Sequence, residues 1–128
     1  MEQRNKSHRN YAHLIYSVLA WLFAACIVIQ LFFAGLGMFT DSKFWEYHSN
    51  FVHFFEFILL LLVIIAFIGK LSHGLRWWPF GLFAMIALQY LTAEMTLGTT
   101  AAALHPVIAT FLFYGSVNVA VRATRTLK

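Results

Sequence analysis

Charge is what this sequence has least of. Asp, Glu, Lys and Arg make up 11% of its 128 residues, where a soluble domain carries about 25%. Apolar residues make up 61%, which excludes an ordinary soluble fold and points to a membrane protein. The single cysteine, Cys26, lies in an apolar run, so an intrachain disulfide is excluded and the chain fixes no redox compartment. Also missing are a Gly-rich phosphate loop, Cys-x-x-Cys, His-Glu-x-x-His and Gly-x-Ser-x-Gly, which removes local support for nucleotide binding, hydrolase and transferase chemistry. The chain is therefore read as not an enzyme by itself. No repeat period and no low-complexity linker divides it, so residues 1–128 form one domain.

What charge there is has a pattern. Arg4, Lys6 and Arg9 precede the first apolar run, Lys70 and Arg76 follow the second, and Arg122, Arg125 and Lys128 form the tail; Lys43 alone falls on the other side. This alternation argues against nucleic acid as the partner of the net charge of +4. By the positive-inside rule it puts both termini in the cytoplasm, with the connections at 39–45 and 97–100 outside. Spans are expected at about 14–39, 44–68, 78–97 and 101–121, each near the roughly 20 residues that cross a bilayer. Short connections make consecutive spans antiparallel neighbours. The expected fold class is all-α, a polytopic membrane protein built as an antiparallel up-down-up-down four-transmembrane-helix bundle.

Local signals refine this. Thr40-Asp41-Ser42 supplies N-cap side chains for the second helix, predicted to run unbroken from 42 to 68. Pro79 falls in the first turn of the third helix, whereas Pro106 falls inside the fourth and kinks it. Gly35 and Gly37 read as close-packing or terminating positions, and Gly81, Ala84, Ala109 and Gly115 as points of close helix approach in lipid.

The polar residues inside the spans carry the functional question, because each is costly in hydrocarbon. Counting at 1.5 Å per residue puts Gln30, His48, Glu94 and His105 roughly 6–11 Å inside the outer helix ends, one from each helix in one layer. His53 and Glu56 lie deeper, three residues apart on one helix face, with Gln89 at similar depth as a hydrogen-bond partner. His48 and His53 are about 140° apart around their helix and serve different directions. His8, His13 and His73 are read as solvated or headgroup-level residues.

Three chemistries suit this set. A b-type haem takes axial imidazoles from two facing helices, for which His48 and His105 are the pair, with Phe residues lining the porphyrin. A divalent metal takes His48, His105 and Glu94, with Gln30, His53 or Glu56 orienting an imidazole. A proton or solute path would run through Glu56, His53, Glu94 and His48. A fourth reading needs no ligand: buried His and Glu pin the register of a scaffold or accessory subunit. The haem or metal reading leads, for electron transfer, sensing or cofactor handling. The expected partners are the bilayer and a membrane protein or a second copy of the chain.

Gln30-Leu-Phe-Phe-Ala-Gly-Leu-Gly-Met-Phe39, then His48, then Leu104-His105-Pro106-Val107 resembles a family of small bacterial four-helix membrane proteins known mainly as a domain of unknown function. The resemblance implies a bacterial cytoplasmic-membrane protein and picks out Gln30, His48 and His105. It brings no activity with it. The pattern more often has a small residue soon after the first histidine, where this chain has Asn50, Phe51 and Val52.

Overall fold

A computed structural model of the chain describes residues 2–93 and 98–126. Their regular structure is all helical: α1 (Glu2–Phe39), α2 (Phe44–Phe55), α3 (Phe57–Ile68), α4 (His73–Ala93), α5 (Thr99–Ala102) and α6 (His105–Arg125). Among the described residues three stretches are long and apolar enough to cross a membrane, Arg9–Phe39, Phe44–Ile68 and Thr100–Arg125. α4 stands where the third span is expected and is about 30 Å long at 1.5 Å per residue. Arg76, Trp77, Trp78, Pro79, Gln89 and Tyr90 dilute its apolar character. The end of that expected span, 94–97, lies outside the described residues.

Several helix ends differ from expectation for identifiable reasons. α1 takes in the polar lead before residue 14 as well as the apolar run, because nothing in the lead breaks a helix. α2 begins after Lys43, with no side-chain cap. Asp41 instead accepts the Lys43 amide at 2.9 Å, and Ser42 contributes its carbonyl to Trp45. Glu56 separates α2 from α3 with a tightened turn, Leu59 N–H bonding to the Glu56 carbonyl, while its φ of −58° keeps the helix direction. The expected helix thus runs as one helical stretch, Phe44–Ile68, tightened locally at Glu56, whose own N–H still bonds to the Val52 carbonyl. Pro106 sits in the first turn of α6, inside the helical stretch Thr100–Arg125, and the interruption expected of it falls just before it, between α5 and α6. Lacking an N–H and clashing with the carbonyl four residues back, it stops α5 at Ala102 and lets a new helix begin.

Pro79 shows the reverse. α4 starts at His73, so Pro79 lies inside it, and the carbonyl of Leu75, four residues earlier, loses its helical donor. Tyr16 of α1, with 0% exposure, donates its hydroxyl to that carbonyl at 2.7 Å. The proline thereby creates an acceptor that ties α1 to α4.

α1 packs on α2 and α3 to one side and on α6 to the other, and α4 fills the gap between α3 and α6. The packing neighbours close into a ring around a core of Tyr16 and Phe23 (α1), Leu59 and Leu62 (α3), Leu82 (α4), and Leu112 and Val119 (α6). Cys26 is buried and free in it. Of the small residues, Gly115 is where α4 comes close, since a Cβ there would meet Leu82 at 3.1 Å, whereas Gly81 faces open space. Ala109 is buried and Ala84 exposed. Many large apolar side chains face outward, Phe32, Phe54, Phe57, Ile68, Phe111 and Tyr114 among them, as lipid contact requires and water does not favour.

Candidate functional site

The site is built at the end of the ring where α1 meets α2 and α4 meets α6. His48 lies on α2 and His105 opens α6, and their rings come within 6.2 Å, centre to centre, tilted by 59°. Each ring is anchored in the same way. His48 Nδ1 is 2.9 Å from the carbonyl oxygen of Gln30 on α1, and His105 Nδ1 is 3.1 Å from that of Gln89 on α4. A carbonyl only accepts, so Nδ1 of each imidazole carries the hydrogen. In the neutral ring the lone pair then resides on Nε2. The two hairpins hold their imidazoles by one device: a glutamine carbonyl on the first helix orients a histidine on the next.

Further contacts fix each ring. Gln30 returns a bond from its Nε2 to the His48 carbonyl, and Trp45 stands edge-on to the His48 ring at 5.7 Å. Trp45 reaches that position because Gly37 has no side chain: a Cβ would meet the indole at 3.0 Å. On the other side Thr92, which is buried, gives its hydroxyl hydrogen to the Leu88 carbonyl and lies 3.3 Å from His105 Nδ1 as an acceptor. Below His48 an aromatic column descends through Phe33, Phe51, Phe55 and Phe23, with ring centres 5.3–5.6 Å apart. Both Gln30 and Gln89 keep a buried side-chain oxygen with no hydrogen-bond partner, so the layer holds unused acceptors.

Of the four residues expected in this layer, Gln30, His48 and His105 come together. Glu94 lies outside the described residues. His53 and Glu56 stand apart and point elsewhere: the His53 side chain is 61% exposed and that of Glu56 25%. Gln89 does not hold them, contrary to expectation. The next residue, Tyr90, does, donating its hydroxyl to Glu56 Oε2 at 2.8 Å and stacking on His53 at 5.6 Å. Its oxygen is 3.1 Å from His53 Nδ1, which gives a directed chain from imidazole to phenol to carboxylate. Tyr90 carried a readable signal, a hydroxyl at the depth of His53 and Glu56. The Gln89 carbonyl, being backbone, carried none.

The donors can be compared with the two candidate ligands. Among the described residues no group of three His, Cys, Asp or Glu side chains could hold a metal ion, and a protein-held divalent site takes at least three protein ligands. A haem iron asks for two axial side chains, the porphyrin supplying the rest. A metal bonded to an imidazole nitrogen lies about 3 Å from the ring centre, so two rings facing each other across one ion have centres about 6 Å apart. The observed separation, 6.2 Å with the rings tilted by 59°, is of that size and also of the size of a direct aromatic contact such as Phe33–Tyr47 at 6.0 Å. Carbonyl-bound Nδ1–H is also the arrangement that sets tautomer and orientation in metal-ligating histidines.

Residues 30–97, just over half of the chain, match a family of unknown function, DUF6220. The match includes Gln30, His48, His53, Glu56 and Gln89 and ends before His105. No curated protein and no solved structure matches the chain.

Proposed function

Because the chain belongs to the DUF6220 family, whose function is unknown, we propose from geometry and chemistry alone that it is a multi-pass membrane protein holding a b-type haem between His48 and His105. One observation carries this reading: two imidazoles from different hairpins, each with Nδ1 bound to a glutamine carbonyl and Nε2 left over, 6.2 Å apart. His48 and His105 would hold the haem iron through Nε2. Gln30 and Gln89 keep both rings in the ligating tautomer, and Trp45 and Thr92 hold them in place. The haem would supply one-electron exchange or a sensing centre. A divalent ion on the same pair needs a further ligand, the role that falls to Glu94 in the metal version of the reading.

The surrounding architecture in this reading is an up-down-up-down four-helix transmembrane bundle with α4 as its third span. Both termini are cytoplasmic, and the site sits near the outer leaflet of a bacterial cytoplasmic membrane. The basic residues gathered at the opposite end from the site support that orientation.

The test is the absorption spectrum of protein purified from haem-replete cells. A Soret band is expected in the wild type and should be lost in His48→Ala/His105→Ala, with the helical circular dichroism retained. A wild type without the band, or a double variant that keeps it, overturns the proposal. Metal analysis of the same preparation decides the divalent-ion version.

A second reading, an accessory subunit, is favoured by the exposure of His53. It lies within the apolar Phe44–Ile68 stretch, where ionisable side chains avoid lipid. A covering helix from a partner or a second copy removes that cost. Light scattering in mild detergent should then give a mass above the monomer that falls in His53→Leu; a monomer at every concentration counts against it.

A further inference from the structure

At the end of the ring away from the imidazoles, the turn into α4 and the last turn of α6 border an open hollow of about 260 Å³, lined by Ser72, Gly74, Leu75 and Thr126 and by the exposed Arg122 and Arg125. We propose that this hollow binds the phosphate group of an anionic lipid headgroup. The inference is independent of the haem reading, because it uses no residue of that site.

Three features converge on the same chemistry. First, the charge is uncompensated: the ion pairs among the described residues are Lys43–Asp41 and His53–Glu56, so neither Arg122 nor Arg125 has a carboxylate within 4.0 Å there. Forked guanidinium donors match phosphate oxygens in a way a single ammonium does not. Second, Arg122 is placed rather than free, its guanidinium lying over the Trp78 ring at 5.6 Å, which lowers the entropy lost on engaging a ligand. Third, Gly74 and Leu75 belong to the first turn of the 21-residue α4. Their amides have no carbonyl four residues back within the helix, and they form the positive end of its dipole.

The position selects the source of the phosphate. Trp77 and Trp78, 52% and 38% exposed, are the kind of aromatic side chain enriched at a membrane interface. Basic hollows between helices at that level suit phospholipid headgroups. The hollow is smaller than the roughly 300–1,000 Å³ of a pocket for a drug-sized molecule. It accommodates a headgroup while the acyl chains stay on the apolar outer face.

Binding is measured on the detergent-purified full chain with three probes: dioctanoyl phosphatidylglycerol, dioctanoyl phosphatidylcholine and inorganic phosphate. Phosphatidylglycerol is expected to bind at least tenfold more tightly than phosphatidylcholine, whose ammonium the two arginines repel. Arg122→Gln/Arg125→Gln should lose that preference, and Arg122→Lys/Arg125→Lys, which keeps charge without the fork, should retain part of it. Lys43→Gln, at the opposite end, should bind as the wild type does. Inorganic phosphate displacing the lipid at equal concentration would overturn the lipid assignment in favour of free phosphate. Equal binding of all probes by the wild type and the Gln double variant would overturn the site itself. The Lys variant keeps the test valid if the Gln variant fails to fold.

Discussion

Single residues in this chain matter through the backbone atoms they free or hold. Pro79 removes the donor for the Leu75 carbonyl, and Tyr16 supplies a replacement from another helix at 2.7 Å. Both partners are buried, so removing the hydroxyl strands an acceptor where water does not reach. Tyr16→Phe is expected to lower stability by about 1–3 kcal/mol, read as an earlier thermal unfolding midpoint in detergent. In a Pro79→Ala background the backbone N–H restored at that position can bond the Leu75 carbonyl, so there the same substitution should cost clearly less. A double-mutant cycle measures that coupling. Full additivity of the two changes would show that the hydroxyl and the proline act separately. The glutamines of the site follow the same logic. Their backbone carbonyls, more than their amides, set the tautomers of His48 and His105.

At the scale of elements, the sequence is read best where a physical rule depends on distance along the helix. Depth counting brings Gln30, His48 and His105 into one layer because every helical residue rises by the same amount, and the angle of about 140° between His48 and His53 separates an inward from an outward imidazole for the same reason. Helix ends are read less well, because caps and turns depend on a few competing bonds. Asp41 turns the chain without capping α2. The α3 end puts φ of +50° on Lys70, with Leu71 N–H bonded to the Ala66 carbonyl and Lys70 N–H to that of Phe67. This is the pattern usually closed by a glycine. Gly69, one residue earlier, serves instead to let α1 approach, since a Cβ there would meet Ala12 Cβ at 2.5 Å and the Ile65 carbonyl at 2.9 Å. Two demands fall on neighbouring positions, and sequence pattern alone does not say which of them the glycine meets. The depth of the Tyr90 hydroxyl is readable, but its pairing with His53 and Glu56 is not, because which turn of α4 lies beside His53 follows from helix packing and not from spacing.

For the molecule as a whole, the charge distribution argues for one orientation. Arg122 and Arg125 line the hollow beside the turn into α4. Arg76 lies in the first turn of that helix and Lys70 in the connection before it, and His13 of α1 reaches Thr126 at the end of α6. The other end, beyond His48, holds Asp41, Lys43 and Glu46, of which Lys43 is paired with Asp41 at 3.2 Å. A basic end is generally retained on the cytoplasmic side during insertion, and the orientation proposed on that ground would put the imidazole site near the outer face. Single cysteines in a Cys26→Ser background test this directly. Ser42→Cys should react with a membrane-impermeant maleimide in spheroplasts, and Ser72→Cys only after the membrane is opened. Labelling in the reverse order would invert the molecule, placing the imidazoles near the cytoplasm and the arginine hollow against the outer leaflet. Labelling of both sites in sealed spheroplasts would mean that the Phe44–Ile68 stretch, 25 residues long, does not separate two compartments.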